Sequence, residues 1–178
     1  LRTMLAQTER LQRLVTQLLD LSRLESGGTL LHRLPFPVAD LLEDVADESS
    51  LHSPDIEFRV DVDPPDLAVD GDPERLHQVF ANLTDNAARF TPEGGEVVLV
   101  ARRRGPEVVL EVLDDGPGIP PEAATRVFER FYRTDEARST DKGGSGLGLA
   151  IARWIVDLHG GRIRAEQRRP RGCRMVVE

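Results

Sequence analysis

Apolar positions in the first 25 residues recur at helical spacing. Met4, Leu11 and Leu18 stand seven apart, as do Leu14 and Leu21, with Val15 beside them. Glu9, Arg10, Arg13, Gln17 and Arg23 fill the other side, so the pattern predicts one long amphipathic helix to about Glu25, ended by Gly27-Gly28. With nothing nearby to bury its stripe, such a helix calls for a partner helix. Residues 28–36 read as a linker, with Pro35 inside it and Pro37 just beyond. Val38, Leu41, Leu42 and Val45 then space out a second helix ending near Ser49-Ser50.

Beyond it the period changes. Ile56, Phe58, Val60 and Val62 alternate with charged neighbours, a half-buried strand stopped by Asp63-Pro64-Pro65. Asp72 is an N-cap with Pro73 at the first helical position, and the helix runs through Leu76, Val79, Phe80 and Leu83 to about Phe90. Strands are predicted at 96–103 and 107–113, joined at Gly105-Pro106. Pro120-Pro121-Glu122 opens a short helix reaching Val127-Phe128. The polar stretch 129–145 ends in Gly143-Gly144 and reads as a mobile loop. A further helix spans about 146–159, capped by Gly160-Gly161, and a hairpin of 162–167 with 172–177 closes the chain. This order is not a regular βαβ alternation. It predicts an α+β fold, a two-layer α/β sandwich with helices on one face of a mostly antiparallel sheet, preceded by one long helix.

Composition narrows the function classes. The 178 residues, 39% hydrophobic, suit one ordinary domain plus an appendage. Lys and Arg total 23 against 31 Asp and Glu, a net charge of -8, and an acidic chain is repelled by a phosphate backbone. No nucleic-acid partner is expected. Arg102-Arg103-Arg104 and the group Arg168, Arg169 and Arg171 read as solvated hairpin ends. The single cysteine, Cys173, rules out an internal disulfide or a cysteine-rich metal site, and fits a buried or half-buried structural thiol in a reducing compartment. No apolar run approaches the roughly 20 residues needed to cross a bilayer. The chain opens on Leu1 and reads as a fragment, with any membrane anchor upstream.

Three segments carry chemistry. Asn82 and Asn86 in Asn82-Leu83-Thr84-Asp85-Asn86-Ala87 lie four apart, hence on one helix face, where two poor helix formers need a reason. A neutral amide oxygen suits a magnesium site whose charge is balanced by phosphate, although an ordinary polar face would look the same. Asp114-Asp115-Gly116-Pro117-Gly118-Ile119 follows a strand, and its glycines make a floor that a flat ring can approach. A carboxylate only accepts hydrogen bonds, so Asp114 could receive the exocyclic amine of adenine and reject guanine. Gly144-Ser145-Gly146-Leu147-Gly148-Leu149 enters a helix and offers backbone N–H groups to phosphate. It is neither a GxxxxGK[ST] loop nor a dinucleotide fingerprint.

Taken in order, these segments resemble the boxes of the GHKL superfamily of ATPases, and within it the bacterial sensor histidine kinases. Residues 82–90 resemble the N box, 114–119 the G1 box and 144–149 the G2 box. Phe128-Glu129-Arg130-Phe131-Tyr132-Arg133 resembles the F box that opens the ATP lid, and Leu18-Leu19-Asp20-Leu21-Ser22-Arg23-Leu24-Glu25 the end of the second dimerisation helix. The resemblance implies a GHKL (Bergerat) fold over 37–178 with a lid at about 129–145, and the second helix of a dimerisation bundle at 1–27. It implies an ATP site made of Asn82, Asn86, Arg89, Phe90, Asp114, Gly116, Gly118, Ile119, Phe131, Arg133, Gly144, Ser145, Gly146, Leu147, Gly148 and Leu149, with Asn86 the Mg²⁺ ligand. Arg89 stands where Lys is usual, Phe90 where Tyr is more frequent, and Arg133 and Lys142 are candidate γ-phosphate contacts. The ending Gly172-Cys173-Arg174-Met175 departs from the usual Gly-Thr-rich one.

The implied activity is an ATP-dependent protein-histidine kinase that passes its phosphoryl group to a response-regulator receiver domain. The implied state is a homodimer through the bundle, and the implied place is the cytoplasmic part of a membrane-anchored bacterial protein. The expected acceptor, a histidine followed by an acid, is missing, because none of His32, His52, His77 and His159 has that setting. His159, at a helix end, reads as a cap. This fragment is therefore expected to bind ATP and Mg²⁺ without phosphorylating itself. The rival expectations are an ATP-gated conformational ATPase and a nucleotide-free signalling module.

Overall fold

The computed structural model describes residues 30–133 and 144–178, together with Val15. The expected first helix, apart from Val15, lies outside the described residues, as do Lys142 and the middle of the expected lid. The described elements run β1 (Leu34–Pro37), α1 (Val38–His52), β2 (Glu57–Asp63), β3 (Ala68–Gly71), α2 (Pro73–Phe90), β4 (Glu96–Arg104), β5 (Glu107–Asp114), a 3-10 turn at Arg126–Phe128, α3 (Gly148–Leu158), β6 (Ile163–Gln167) and β7 (Cys173–Val177). Five strands form one sheet in the order β2-β4-β5-β7-β6, in which β2 and β4 are parallel and the other pairs antiparallel.

Alternation decides which face of the sheet is covered. Val97, Leu99 and Ala101 of β4, Leu110 and Val112 of β5, and Met175 and Val177 of β7 share one face and are buried with the helices. The apolar stripes of α1 (Leu42, Val45), α2 (Val79, Phe80, Leu83) and α3 (Ile151, Ile155) close over that face. This is the expected two-layer sandwich, its sheet mostly antiparallel.

On the other face Val98, Val100, Val109 and Val176 are also buried. Their neighbours across the strands form an ion-pair chain: Arg174 with Glu111, and with Glu166 at 3.0 Å, then Arg164 with Glu166 at 2.6 Å and Glu178 at 2.7 Å. Arginine stems lie along apolar surface while their heads stay paired and wet. Arg102 belongs to this face too and pairs with Asp61, so it is not the purely solvated hairpin end expected of it.

Two elements depart from expectation. Leu34–Pro37, in and beside the supposed linker, forms a short antiparallel ribbon with Ala68–Gly71. The expected helix after Pro120 is reduced to turns and the single 3-10 turn at Arg126–Phe128, which seats Phe128 in the core.

The start of α2 is tied down by a polar knot. Asp72 Oδ1 accepts from the Arg75 N–H at 3.1 Å and Oδ2 from the His32 N–H at 2.9 Å. The Asp72 N–H donates to His159 Nε2 at 3.0 Å, which leaves Nδ1 to donate to the Ile155 carbonyl at 2.7 Å. His159 thus caps α3 and fastens it to α2. Burial alone would raise the Asp72 carboxyl, but the two N–H donors and the Arg75 charge outweigh it and hold the group below its ordinary value. Asp72→Ala is expected to cost about 1–2 kcal/mol, as loss of an N-cap usually does. A folded value below the unfolded one means stabilisation that is complete above the unfolded value and lost as pH falls through the folded one. Urea unfolding of the two proteins should therefore differ most near neutrality and converge in acid.

Candidate functional site

The C-terminal half of α2 brings Asn82, Asn86, Arg89 and Phe90 to one half-buried strip. Two of them face the glycine-rich entry to α3. A methyl group at Gly148 would sit 3.2 Å from Asn82 Oδ1, and one at Gly144 would overlap the Arg89 guanidinium. The backbone of Phe90 lies against the other loop, since a methyl at Gly116 would lie 3.1 Å from its carbonyl oxygen. Residues far apart in sequence, Asn82 with Gly148 and Arg89 with Gly144, are therefore brought together. Arg89 is held by Asp85 one turn back, at 3.0 Å.

Asp114 ends β5 and is 5% exposed. Its Oδ1 accepts two backbone N–H groups, from Gly116 at 2.8 Å and from Cys173 at 3.0 Å. Its Oδ2 takes none of the hydrogen bonds found among the described residues. No side-chain oxygen or nitrogen of a described residue is both fully buried and without a partner, so Oδ2 is not fully buried. Burial pushes the Asp114 carboxyl above its ordinary range, against the pull of the Cys173 and Gly116 N–H groups and the Arg168 charge. The group is thus an anchored acceptor with one free oxygen.

The ends of the expected lid meet. The Phe131 N–H donates to the Gly146 carbonyl at 2.9 Å, and Phe131 adopts a left-handed φ of 61° and is 61% exposed. Gly146, itself at φ 73°, has no room for a side chain, because a methyl there would lie 2.9 Å from the Phe131 Cα. Ser145 Oγ accepts from the Leu147 N–H at 3.2 Å, and the Leu147 side chain is buried in the core, with Leu149 packed against it. Arg133 is half-buried at the edge of the described residues, beyond Tyr132, whose ring lies under the Arg126 guanidinium at 4.6 Å.

The site also has a wall that the sequence did not reveal. The tip of the β6–β7 hairpin, expected to be solvated, grips the loop 114–119. Arg168 Nη1 donates to the Asp114 carbonyl at 3.2 Å and to Asp115 Oδ1 at 2.9 Å. Arg171 Nε donates to the Gly116 carbonyl at 3.2 Å, and Gln167 Oε1 accepts from the Ile119 N–H at 3.2 Å. Cys173 is buried as expected. Its thiol is pushed up to about 12 by burial, with help from the Asp114 charge, so it stays protonated and unreactive near neutrality. The N–H of Cys173, not its sulfur, reaches the site.

Among the described residues no group of three His, Cys, Asp or Glu side chains is placed to hold a metal ion. The Asn82 amide oxygen is a hard, neutral donor beside the glycine-rich turn, with Asn86 one turn further along the same half-buried helix face, a pair of residue types that fits a cation sharing its charge with phosphate oxygens.

A family model described as histidine kinase-, DNA gyrase B-, and HSP90-like ATPase matches residues 71–178. The probable sensor histidine kinase TcrY of Mycobacterium tuberculosis is 43% identical over 158 residues, which is 89% of this chain and 33% of that protein. The chain thus spans about a third of the length of this relative. The crystal structure of full-length ShkA in complex with AMPPNP is similar at a TM-score of 0.83 and 32% identity, covering 94% of this chain and 35% of that one. Histidine kinase ThkA in complex with the response regulator protein TrrA gives a TM-score of 0.77 at 30% identity, over 96% of this chain and 48% of that one.

Proposed function

The chain belongs to the histidine kinase-, DNA gyrase B-, and HSP90-like ATPase family, as an ATP-binding catalytic domain of the sensor histidine kinase kind, and from that premise we propose how its residues handle Mg–ATP. Asp114 Oδ2 receives the adenine amine, Phe90 stacks beside the ring, and the backbone of Gly116, Gly118 and Ile119 forms the floor. The observation that carries this reading is the state of Asp114: one oxygen fixed by two N–H groups, the other not fully buried and without a hydrogen bond among the described residues.

The triphosphate lies between Asn82, Asn86 and Arg89 on one side and residues 144–148 on the other, where the N-terminus of α3 presents its dipole. Asn86, helped by Asn82, would hold Mg²⁺, whose chemistry when bound is to neutralise phosphate charge. Arg89 exchanges Asp85 for a phosphate oxygen, and Arg133 and Lys142 approach the γ-phosphate. Binding here positions and neutralises, while the nucleophile comes from elsewhere. ThkA, a similar kinase, is seen with a response regulator, which supports onward transfer of the phosphoryl group to a regulator aspartate. Dimerisation through residues 1–27, and a place on the cytoplasmic side of a membrane-anchored protein, complete the proposal.

Calorimetric titration of Mg–ATP tests the binding; absence of heat and of competition by ADP would overturn it. The same protein incubated with γ-labelled ATP is expected to gain no acid-labile, base-stable label. Both ring nitrogens of His159 are engaged, while His52 bonds its own helix at Glu48 and His77 lies beside Glu48. Stoichiometric label on any of the four histidines would refute an external acceptor.

A further inference from the structure

Within the loop 114–119 the Gly116 N–H holds Asp114 Oδ1, and Gly116, Pro117 and Gly118 supply no polar side chain to anchor the turn further. Its position is imposed from the hairpin tip, over a sequence separation of about fifty residues. Three of its backbone groups and one side-chain oxygen are met from there. Arg168 takes the Asp114 carbonyl, Arg171 the Gly116 carbonyl and Gln167 the Ile119 N–H, and the Cys173 N–H fixes Asp114 Oδ1. A second tie passes through Asp115, whose Oδ1 pairs with Arg168 while Oδ2 accepts the Glu96 N–H at 3.1 Å, joining the clasp to the start of β4. The loop and the clasp also touch without side chains, because a methyl at Gly172 would overlap the Asp114 carbonyl oxygen.

We infer that Arg168 and Gln167 are positioning residues for base recognition, setting where Asp114 Oδ2 stands and therefore how well adenine is preferred to guanine. The inference rests on the proposed nucleotide site. Arg168 acts on Asp114 through its backbone carbonyl and through Asp115, while Gln167 holds the far end of the loop at Ile119. Neither side chain needs to touch the base. Loosening the clasp lets the carboxylate move off the line to the amine, which weakens ATP and relaxes the exclusion of GTP, whose ring carries an acceptor where adenine has a donor.

The experiment is a double-mutant cycle on the whole chain, read by calorimetry with Mg–ATP and Mg–GTP. Arg168→Ala is expected to weaken ATP about three- to tenfold, the range for one lost hydrogen bond or somewhat more, and to shrink the ATP-to-GTP preference. In an Asp114→Asn background the same change should alter ATP affinity by less than about twofold, because coupled residues are not additive. Arg168→Lys should restore part of the preference by keeping a donor to Asp115. A loss that is merely structural would appear equally in both backgrounds. If Arg168→Ala lowers the folded fraction, Gln167→Ala serves as the second probe of the same loop. Asp114→Asn weakening ATP while Arg168→Ala and Gln167→Ala act additively, or not at all, overturns this inference and leaves the nucleotide site standing. Asp114→Asn leaving ATP affinity unchanged would remove the site, and this inference with it.

Discussion

Asp114→Asn is expected to lower Mg–ATP affinity by about tenfold to more than a hundredfold while the protein stays folded. A hydrogen bond to a charged group contributes roughly 1.5–3 kcal/mol net, and each 1.4 kcal/mol is tenfold in affinity. The fold survives because an amide oxygen can still accept from Gly116 and Cys173, which need only an acceptor at Oδ1. Linkage adds a sign. Burial raises the folded-state value of Asp114 above its unfolded one, so the folded protein keeps a proton where the unfolded chain has lost it. That contribution is fully present below the unfolded value and disappears as pH rises through the folded one. At neutral pH the ionised carboxylate therefore works against stability, and the asparagine variant should melt at the same temperature or higher. ATP affinity of the parent should fall on acidification from a higher pH than an ordinary carboxylate would give. Thermal melts and calorimetry across pH check both, and unchanged ATP affinity in the folded variant would sink the adenine assignment.

Gly172→Ala is expected to be the most damaging small substitution in the site. Gly172 sits at φ 108°, where a side chain is strained, and its added methyl would overlap the Asp114 carbonyl oxygen. Strained backbone costs on the order of 1–3 kcal/mol and overpacking a similar amount, so about 2–4 kcal/mol together is a conservative expectation. For a chain of this size that is roughly 5–15 °C in melting temperature. Because the collision is with the residue proposed to read the base, ATP affinity should fall alongside stability. A variant as stable as the parent would mean that the hairpin does not approach Asp114 so closely.

Local pattern made most of this architecture legible. The alternation of β2 and the proline-led start of α2 announce themselves in a few residues, because burial on one face imposes a period. The ribbon of β1 and β3 did not. Each strand has four residues, Leu34–Pro37 holds two prolines, and neither alternates clearly, so only their pairing defines them. In the site, the asparagines, Asp114 and the glycines stood out because each residue type is unusual where it stands. The clasp was invisible for the opposite reason: Arg168 and Arg171 flank Pro170 as any solvated turn would, and their partners lie far away in sequence. The N–H of Cys173 carries no residue identity at all.

The bond between Phe131 and Gly146 has a consequence for how such a lid can change over evolutionary time. It brings the two ends of the intervening segment together within the folded domain. Chain length between fixed ends costs entropy only logarithmically, about 0.6 kcal/mol per doubling. Insertions between 134 and 143 are therefore expected to change the domain's stability little, and the length of the proposed lid would be free to follow the kinetics of nucleotide entry and release.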